Sequence, residues 1–533
     1  MTEKYKFKFP SNIVCPHCGK AGNVWYIDSE VYSAVCTDCH QFIRKDEKSM
    51  TCLDNINTEN SQDTIKIDIK NEYDVIIIGA GSGGIYCAKE LIDKYPDLKI
   101  LMLEKGSSIE KRNCPIVNNR VKNCIHCENG CSIMNGFGGA GAFSDGKYVI
   151  TNEYGGNLKD YIGEDTATSL MEYVDKINTQ ILSDYNIPLY DSRNATFNKQ
   201  CLQNDIHILN SKIRHLGTDL NYKLLTALYK EFENKIDIHF NSEVTDIKPL
   251  FLTKGYQVCC NDVNYYCKYC VVSVGRSGSK WLSELCKQLN IKTTSNKIDI
   301  GVRVELPYTI FSHITDEVYE GKLVYRTKQY NDLVRTFCMN PRGAVVSENT
   351  NGIVTVNGHS YEDEELKTTN TNFALLVSKH LTEPFNDSNE YGASIARLSN
   401  MLGDGVLVQR FGDLVKGQRS TDKRIAESFV KPTLKATAGD LSLVIPKRYL
   451  DDIIEMIYAL DKIAPGTAND DTLLYGVEVK FYNMSVELNK NLEAKENLYI
   501  IGDGSGVTHS LAQASASGIY VAGDILVKEV MSD

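Results

Sequence analysis

At 533 residues the chain exceeds one ordinary core; at ~100–200 residues per domain it divides into two or three units. Hydrophobic residues at 42% and charged residues at 24% argue against wholesale disorder, collagen and coiled coil. The net charge of −11, from 58 Lys+Arg against 69 Asp+Glu, supplies no global attraction to nucleic acid or anionic membrane. No apolar run reaches the ~18 residues of a membrane-spanning helix. The opening MTEKYKFKFPSN has no apolar segment of a secretory signal, so a cytoplasmic location is expected.

The compositional oddity is the cysteine count of 17. An odd number cannot all pair within the chain, and in a reducing compartment clustered thiols point to metal or redox chemistry. Residues 1–50 carry the first cluster, in which Cys15-x2-Cys18 and Cys36-x2-Cys39 are separated by 17 residues. Two residues between cysteines let both thiolates of a knuckle reach one ion, and two knuckles complete a tetrahedral S4 site. A zinc ribbon is expected, although rubredoxin-type iron takes the same ligands. So small a module lacks the apolar residues for a core, and its ion would supply the folding energy. Its seven Lys+Arg against six Asp+Glu form no basic patch. Residues 51–70 are polar, rich in Asn, Asp and Thr, and read as a linker.

From residue 71 the pattern becomes strand, glycine turn, helix, strand. Gly79-Ala-Gly81-Ser82-Gly83-Gly84 is G-x-G-x-x-G, placed after the apolar run Val75–Ile78 and before an amphipathic stretch. Gly79 permits the tight turn, Gly81 lets backbone approach a pyrophosphate, and Gly84 allows close helix–strand packing. The phosphates would rest on the helix N-terminus beside Ser82. Glu104, 20 residues after Gly84, ends the second strand, where it would accept hydrogen bonds from ribose hydroxyls.

Next comes RNCPIVNNRVKNCIHCENGCSIMNGFGGAGAFSDGK (112–147). Cys114, Cys124, Cys127 and Cys131 have the spacing C-x9-C-x2-C-x3-C. Three readings stay open here: a [4Fe–4S] cluster, a second zinc, or free or redox-paired thiols. The small residues from Gly138 to Ala142 let backbone lie flat on a planar ring or pyrophosphate and expose N–H donors. Gly139, Ala140, Gly141 and Ser144 would then line a cofactor. Lys147 would either stabilise its reduced, anionic form or stand as a solvated surface lysine. Helices are expected at about 165–185, 205–235 and 446–463, the last with Pro446 at its start. Strands are expected at 236–250 and 265–275, and a mixed, strand-rich stretch at 292–410. A third cysteine group (Cys259, Cys260, Cys267 and Cys270) falls on two apparent strands and reads as buried small hydrophobes.

NAD and FAD proteins share the glycine motif, and the C-terminus separates them. Leu498-Tyr-Ile-Ile-Gly502-Asp503-Gly504 resembles the second FAD fingerprint of glutathione-reductase-type flavoproteins. That resemblance implies that Asp503, beside Gly502, accepts a hydrogen bond from a ribityl hydroxyl. It also implies that a helix starting near Ser510 points its N-terminus at the flavin pyrimidine. Gly275 in YCVVSVGRSG would lie near the cofactor, and the backbone at Val244 would meet adenine. A closer resemblance rests on GFGGAGAFSDGK (136–147), Ile300-Gly-Val-Arg303-Val-Glu305, Ala438-Gly-Asp440-Leu-Ser442 and Gly476-Val-Glu478-Val-Lys480-Phe-Tyr482. These segments resemble a family of FAD-dependent dehydrogenases of bacteria and archaea, over about residues 72–533.

The expected fold class is α/β. A discontinuous Rossmann-type FAD-binding domain (71–290 and 491–533) would hold an inserted mixed α+β substrate domain (291–490), behind a small N-terminal zinc-ribbon module and its linker. The expected activity is that of a soluble FAD-dependent oxidoreductase passing hydride between a substrate and flavin N5. No second G-x-G-x-x-G in a βαβ context occurs, so the electron source would be the substrate, transient NAD(P)H or a redox partner protein. Polar candidates in the insert are Arg303, Glu305, His359, Glu478 and Lys480, and the catalytic candidates are Lys147 and Glu478. The alternative is a flavoprotein that docks on a partner, or modifies tRNA, through the ribbon.

Overall fold

The computed structural model describes residues 71–115, 120, 130–194, 196–250, 254–350, 352–360, 364–381, 387–403 and 405–532, together with four two-residue strands nearer the N-terminus. The chain separates into two compact units, residues 1–72 with 250–254, and residues 73–249 with 255–533. In the first, Lys6–Phe7 pairs antiparallel with Trp25–Tyr26, and Ala34–Val35 with Phe42–Ile43. Cys15, Cys18, Cys36 and Cys39 lie outside the described residues.

In the second unit the main elements are, in chain order, β1 (Glu72–Ile78), α1 (Ser82–Lys94), β2 (Ile100–Leu103), β3 (Lys147–Ile150), α2 (Glu164–Ile181), β4 (Leu189–Asp191), β5 (Ile206–Ile208), β6 (Lys212–His215), α3 (Gly217–Phe232), β7 (Asp237–His239), β8 (Val244–Pro249), β9 (Tyr256–Cys260) and β10 (Val263–Val272). There follow β11 (Ile298–Pro307), β12 (Leu323–Arg326), β13 (Leu333–Asn340), β14 (Asn370–Lys379), β15 (Leu407–Arg410), β16 (Thr437–Ala438), α4 (Lys447–Asp461), β17 (Leu473–Lys480), β18 (Glu493–Lys495), β19 (Leu498–Ile500) and α5 (Leu511–Ser532).

One sheet has the order β7-β2-β1-β10-β9-β8, with β19 also pairing β10 and β18 pairing β19. Its parallel pairs include β7 with β2, β2 with β1, and β10 with β19. Within β1, Val75–Ile78 is buried on both faces, as a parallel strand covered by helices must be. Gly84 is obligatory here, because a Cβ would stand 2.1 Å from the Gly79 carbonyl oxygen. The helix α5 closes over α1, and at their crossing a Cβ on Gly518 would stand 2.1 Å from the Gly83 carbonyl oxygen. Segments more than 400 residues apart in the chain thus pack directly against each other.

The second sheet has the order β16-β15-β17-β11-β14-β13-β12-β5. Alternate residues of β11 (Ile298, Ile300, Val302, Val304 and Leu306) join Leu450, Ile453 and Ile457 of α4 in an apolar core. The intervening Asp299, Arg303 and Glu305 are directed to the opposite face. Between the sheets a three-stranded set, β3-β6-β4, joins antiparallel.

The helix at 446–463 forms with Pro446 as its N-cap. The expected helix over 205–235 does not: residues 206–208 and 212–215 are strands, and the helix begins only at Gly217. Ile206, Ile208 and Ile213 are buried partners in sheets, and that tertiary pairing overrides the local periodicity. No helix among the described residues is long and apolar enough to cross a membrane.

Candidate functional site

Three loops meet at the ends of β1, β10 and β19. The Gly138 N–H donates to the Ala80 carbonyl at 2.8 Å, bringing the 136–144 turn against the glycine motif. A Cβ on Gly139 would lie 3.2 Å from Gly81 Cα. The Gly504 N–H donates to the Val274 carbonyl at 2.8 Å, fixing the third loop on the segment that contains Gly275. Glu104 joins the first two loops: Oε2 accepts from Ala80 N–H, and Oε1 accepts from Gly106 and Gly136 N–H, each at 2.8 Å. Its carboxylate is therefore already occupied by three backbone donors, a duty beyond the ribose contact its position suggests.

The 136–144 turn is a 3-10 segment, Gly139–Phe143, entered through Gly138 at φ 89°. Asn221 Nδ2 and Ser144 Oγ both donate to the Gly141 carbonyl, at 2.8 and 2.7 Å. Arg112 donates to the carbonyls of Ser132, Ile133 and Phe137, and its guanidinium lies 4.7 Å from the Phe143 ring centroid. No sequence signal singled out Arg112. A Cβ added at Gly81 or Gly275 would meet no heavy atom within 4 Å, so both positions border open space. At the start of α5, Thr508 Oγ1, Gln513 Oε1 and Ser515 Oγ are buried and have no hydrogen-bond partner among the described residues. Asp503 accepts from His509 Nδ1 at 3.1 Å, with Arg276 Nε 3.5 Å away. Val244, at the start of β8, is buried and opposite Cys260.

Lys147 is not the solvated surface lysine of one sequence reading. Its side chain is only 11% exposed and pairs with Asp145 at 2.8 Å and Glu320 at 3.2 Å. Glu320 also pairs with Lys322. Burial opposes ionisation of Glu320, but the two lysines outweigh it and hold the carboxyl down at about 2. The same two carboxylates hold the buried Lys147 ammonium well above its ordinary value. Beside it, Tyr319 Oη lies 3.2 Å from His215 Nε2, with ring centroids 4.4 Å apart. Burial and the Lys147 charge push His215 down to about 4 from 6.5. His215 is thus neutral when folded and would be protonated when unfolded below pH 6.5, so stability falls as pH drops from 6.5 toward 4. His215→Asn is expected to flatten the slope of Tm against pH in that window relative to wild type, removing up to on the order of 3 kcal/mol of acid sensitivity. Thermal melts from pH 7 to 4 check it; identical slopes would refute it.

On the inner face of the second sheet Arg303 and Glu478 are each 0% exposed and form a two-pronged ion pair at 2.8 and 2.9 Å. Lys480 lies 3.0 Å from the same carboxylate. Both Glu478 oxygens are engaged and no part of the residue is open. Its placement is that of a charge partner holding Arg303 and Lys480, in contrast to the catalytic role sequence reasoning considered. Glu305 is likewise buried, accepting from Tyr475, Thr433 and Asn370. His359 ends a strand that pairs with Ala344.

Among the described residues no group of three or more His, Cys, Asp or Glu is placed to hold a metal. Cys124 and Cys127 lie outside the described residues, while Cys114 is half-buried and Cys131 exposed. The third cysteine group does not converge on an ion: Cys259 is opposite Asn264, Cys260 opposite Val263, and Cys267 opposite Tyr256.

Residues 297–481 match the protein family described as FAD-dependent protein, C-terminal domain-like. No curated protein matches the sequence. Among solved structures, glycine oxidase from Geobacillus kaustophilus is similar at 10% identity and a TM-score of 0.37, over 86% of this chain and 95% of that one. A ternary complex of aklavinone-11 hydroxylase with FAD and aklavinone is similar at 11% identity and a TM-score of 0.38, over 86% and 62%. A flavoprotein/dehydrogenase from Cytophaga hutchinsonii is similar at 10% identity and a TM-score of 0.35, over 86% and 79%.

Proposed function

We propose that the chain is an FAD-dependent oxidoreductase whose substrate lies between the three-loop cradle and the polar face of the second sheet. The observation that carries this reading is the open space at Gly81 and Gly275, where the three loops are tied together around the glycine motif. Open space with backbone approach on two sides, at a helix N-terminus, fits the phosphate-bearing part of a flavin dinucleotide. Bound FAD would supply hydride acceptance or donation at N5.

The chain's own residues supply the rest. The N–H groups at the start of α1 face the phosphate position, where the helix dipole favours negative charge. Glu104 fixes the glycine motif and the 136–144 turn in one arrangement, so the cradle is pre-organised. Asp503 offers a carboxylate whose second oxygen lies 3.5 Å from Arg276 Nε. Lys147 holds a positive charge near the turn. Tyr319, held protonated by burial with its hydroxyl pushed up to about 12, can donate to His215 or to a substrate oxygen.

The protein purified anaerobically is expected to show flavin absorbance, and heat is expected to release FAD in equimolar amount. Protein that is colourless and takes up no added FAD would overturn the proposal. Stopped-flow mixing with NADH and NADPH identifies or excludes a nicotinamide as reductant. We also propose, from cysteine spacing, that Cys15, Cys18, Cys36 and Cys39 hold zinc. Elemental analysis of the same sample is expected to find zinc equimolar with chain, and iron beyond it only if Cys114, Cys124, Cys127 and Cys131 hold a cluster.

A further inference from the structure

The polar face of the second sheet gathers several cations, each held beside a carboxylate or left without one. Glu320 lies between Lys147 and Lys322, and Glu478 between Arg303 and Lys480. Asp299 pairs with Arg335 and lies in the field of Lys297. Asp145 adds a further carboxylate, on Lys147. The adjacent Glu348 is engaged by the Asn357 amide at 2.9 Å. The cations converge on one ring: Lys322 Nζ lies 3.9 Å, Arg335 Cζ 5.2 Å and Lys480 Nζ 5.8 Å from the Phe337 centroid.

Two of these cations keep binding capacity. Arg335 Nε is buried and has no hydrogen-bond partner among the described residues. Lys297 makes no ion pair among them, and its Nζ stands 5.5 Å from the Tyr482 ring centroid. Lys297, Arg335, Phe337, Lys480 and Tyr482 are each half-buried, so a small molecule can touch all five. The cluster also adjoins the cradle. Tyr482 donates to Asp299 at 2.5 Å, accepts from Arg335 at 2.9 Å, and meets the His509 ring at 4.8 Å. His509 in turn donates to Asp503.

We propose that Lys297, Arg335 and Lys480 bind an anionic group, carboxylate or phosphate, on the substrate, with Phe337 and Tyr482 as its apolar walls. The inference rests on the flavin reading for the word substrate; the anion site itself rests on this chain's charges alone. An anion there gains charge-assisted hydrogen bonds from the Lys297 ammonium and from Arg335 Nε, the two donors left uncommitted among the described residues.

The test uses the full chain, with and without added FAD, at fixed ionic strength. Benzoate, inorganic phosphate and uncharged benzamide are titrated while Tm and, in loaded protein, the flavin absorbance are followed. Benzoate or phosphate is expected to raise Tm saturably and benzamide to leave it unmoved; the tighter anion names the group. Lys297→Gln breaks no ion pair and is expected to keep the ligand-free Tm while weakening anion binding about 10-fold. Equal effects of benzoate and benzamide, or wild-type anion affinity in Lys297→Gln, would overturn the inference. Protein that takes up FAD but no anion defeats this inference alone. Protein that binds the anion but no FAD defeats the cofactor reading and leaves the anion site standing.

Discussion

Gly81→Val is expected to lose FAD while the protein stays folded. A Cβ at this position meets nothing within 4 Å, so the side chain enters space that no protein atom fills. That space is where a pyrophosphate must approach the backbone in the proposed complex. Valine would occupy it and hold the phosphates away from the α1 N–H groups. The dissociation constant is expected to rise about 100-fold or more, equivalent to ~2.7 kcal/mol. The neighbouring Gly84 provides the contrast, since its Cβ would collide with the Gly79 carbonyl oxygen at 2.1 Å. Gly84→Val is therefore expected to damage the fold itself. Fluorescence titration with FAD and urea unfolding of the apoprotein separate the two. Wild-type FAD affinity in Gly81→Val would remove the cradle from the cofactor reading.

Glu478→Gln is expected to destabilise the protein by ~3 kcal/mol or more, because breaking a buried ion pair leaves an uncompensated charge. Arg303 is wholly buried, and its other hydrogen-bond partners are the Asn372 side chain at 2.8 Å, the Cys338 carbonyl at 3.1 Å and the Asn357 side chain at 3.4 Å, all neutral. Attraction to Arg303 and Lys480 overcomes burial and keeps the Glu478 carboxyl below the usual carboxylate range. Replacing both partners, Arg303→Met with Glu478→Leu, is expected to recover a large part of the loss, since neither charge is then stranded. Urea midpoints of the two singles and the double close the cycle. A Glu478→Gln protein as stable as wild type but inactive would return Glu478 to the chemistry.

What sequence reasoning could read depended on how far apart the interacting residues stand. The run Val75–Ile78, the glycines and the apolar stretch after them form one continuous unit, and the strand, turn and helix appear where the periodicity puts them. The small-residue run from Gly138 to Ala142 announced a backbone-lined surface, and it does pack against Gly81. The helix after Pro446 was legible from its cap and apolar spacing. The charged site was not, because its partners are distant in the chain. Arg303 and Glu478 are 175 residues apart, and Tyr482 and Asp299 are 183 apart. Lys147, Glu320 and His215 come from three separate segments whose meeting depends on the three-stranded set between the sheets. Composition records how many lysines and glutamates exist, but which carboxylate serves two cations is decided only by the sheet register. The misplaced helix at 205–216 failed for the same reason, since β5 is a strand only because β12 lies beside it.

The contact between Gly83 and Gly518 has a consequence for synthesis. Ribosomes make ~5–20 residues per second, so the roughly 430 residues between these two glycines take about 20–90 s to emerge. Until then α1 has no partner on the flank that α5 later covers, and β10 lacks its parallel neighbour β19. The first glycine motif is translated early, yet the segments that complete its cradle follow more than 400 residues later. A nascent chain therefore carries the apolar edge of β10 unpaired until residues 498–500 emerge.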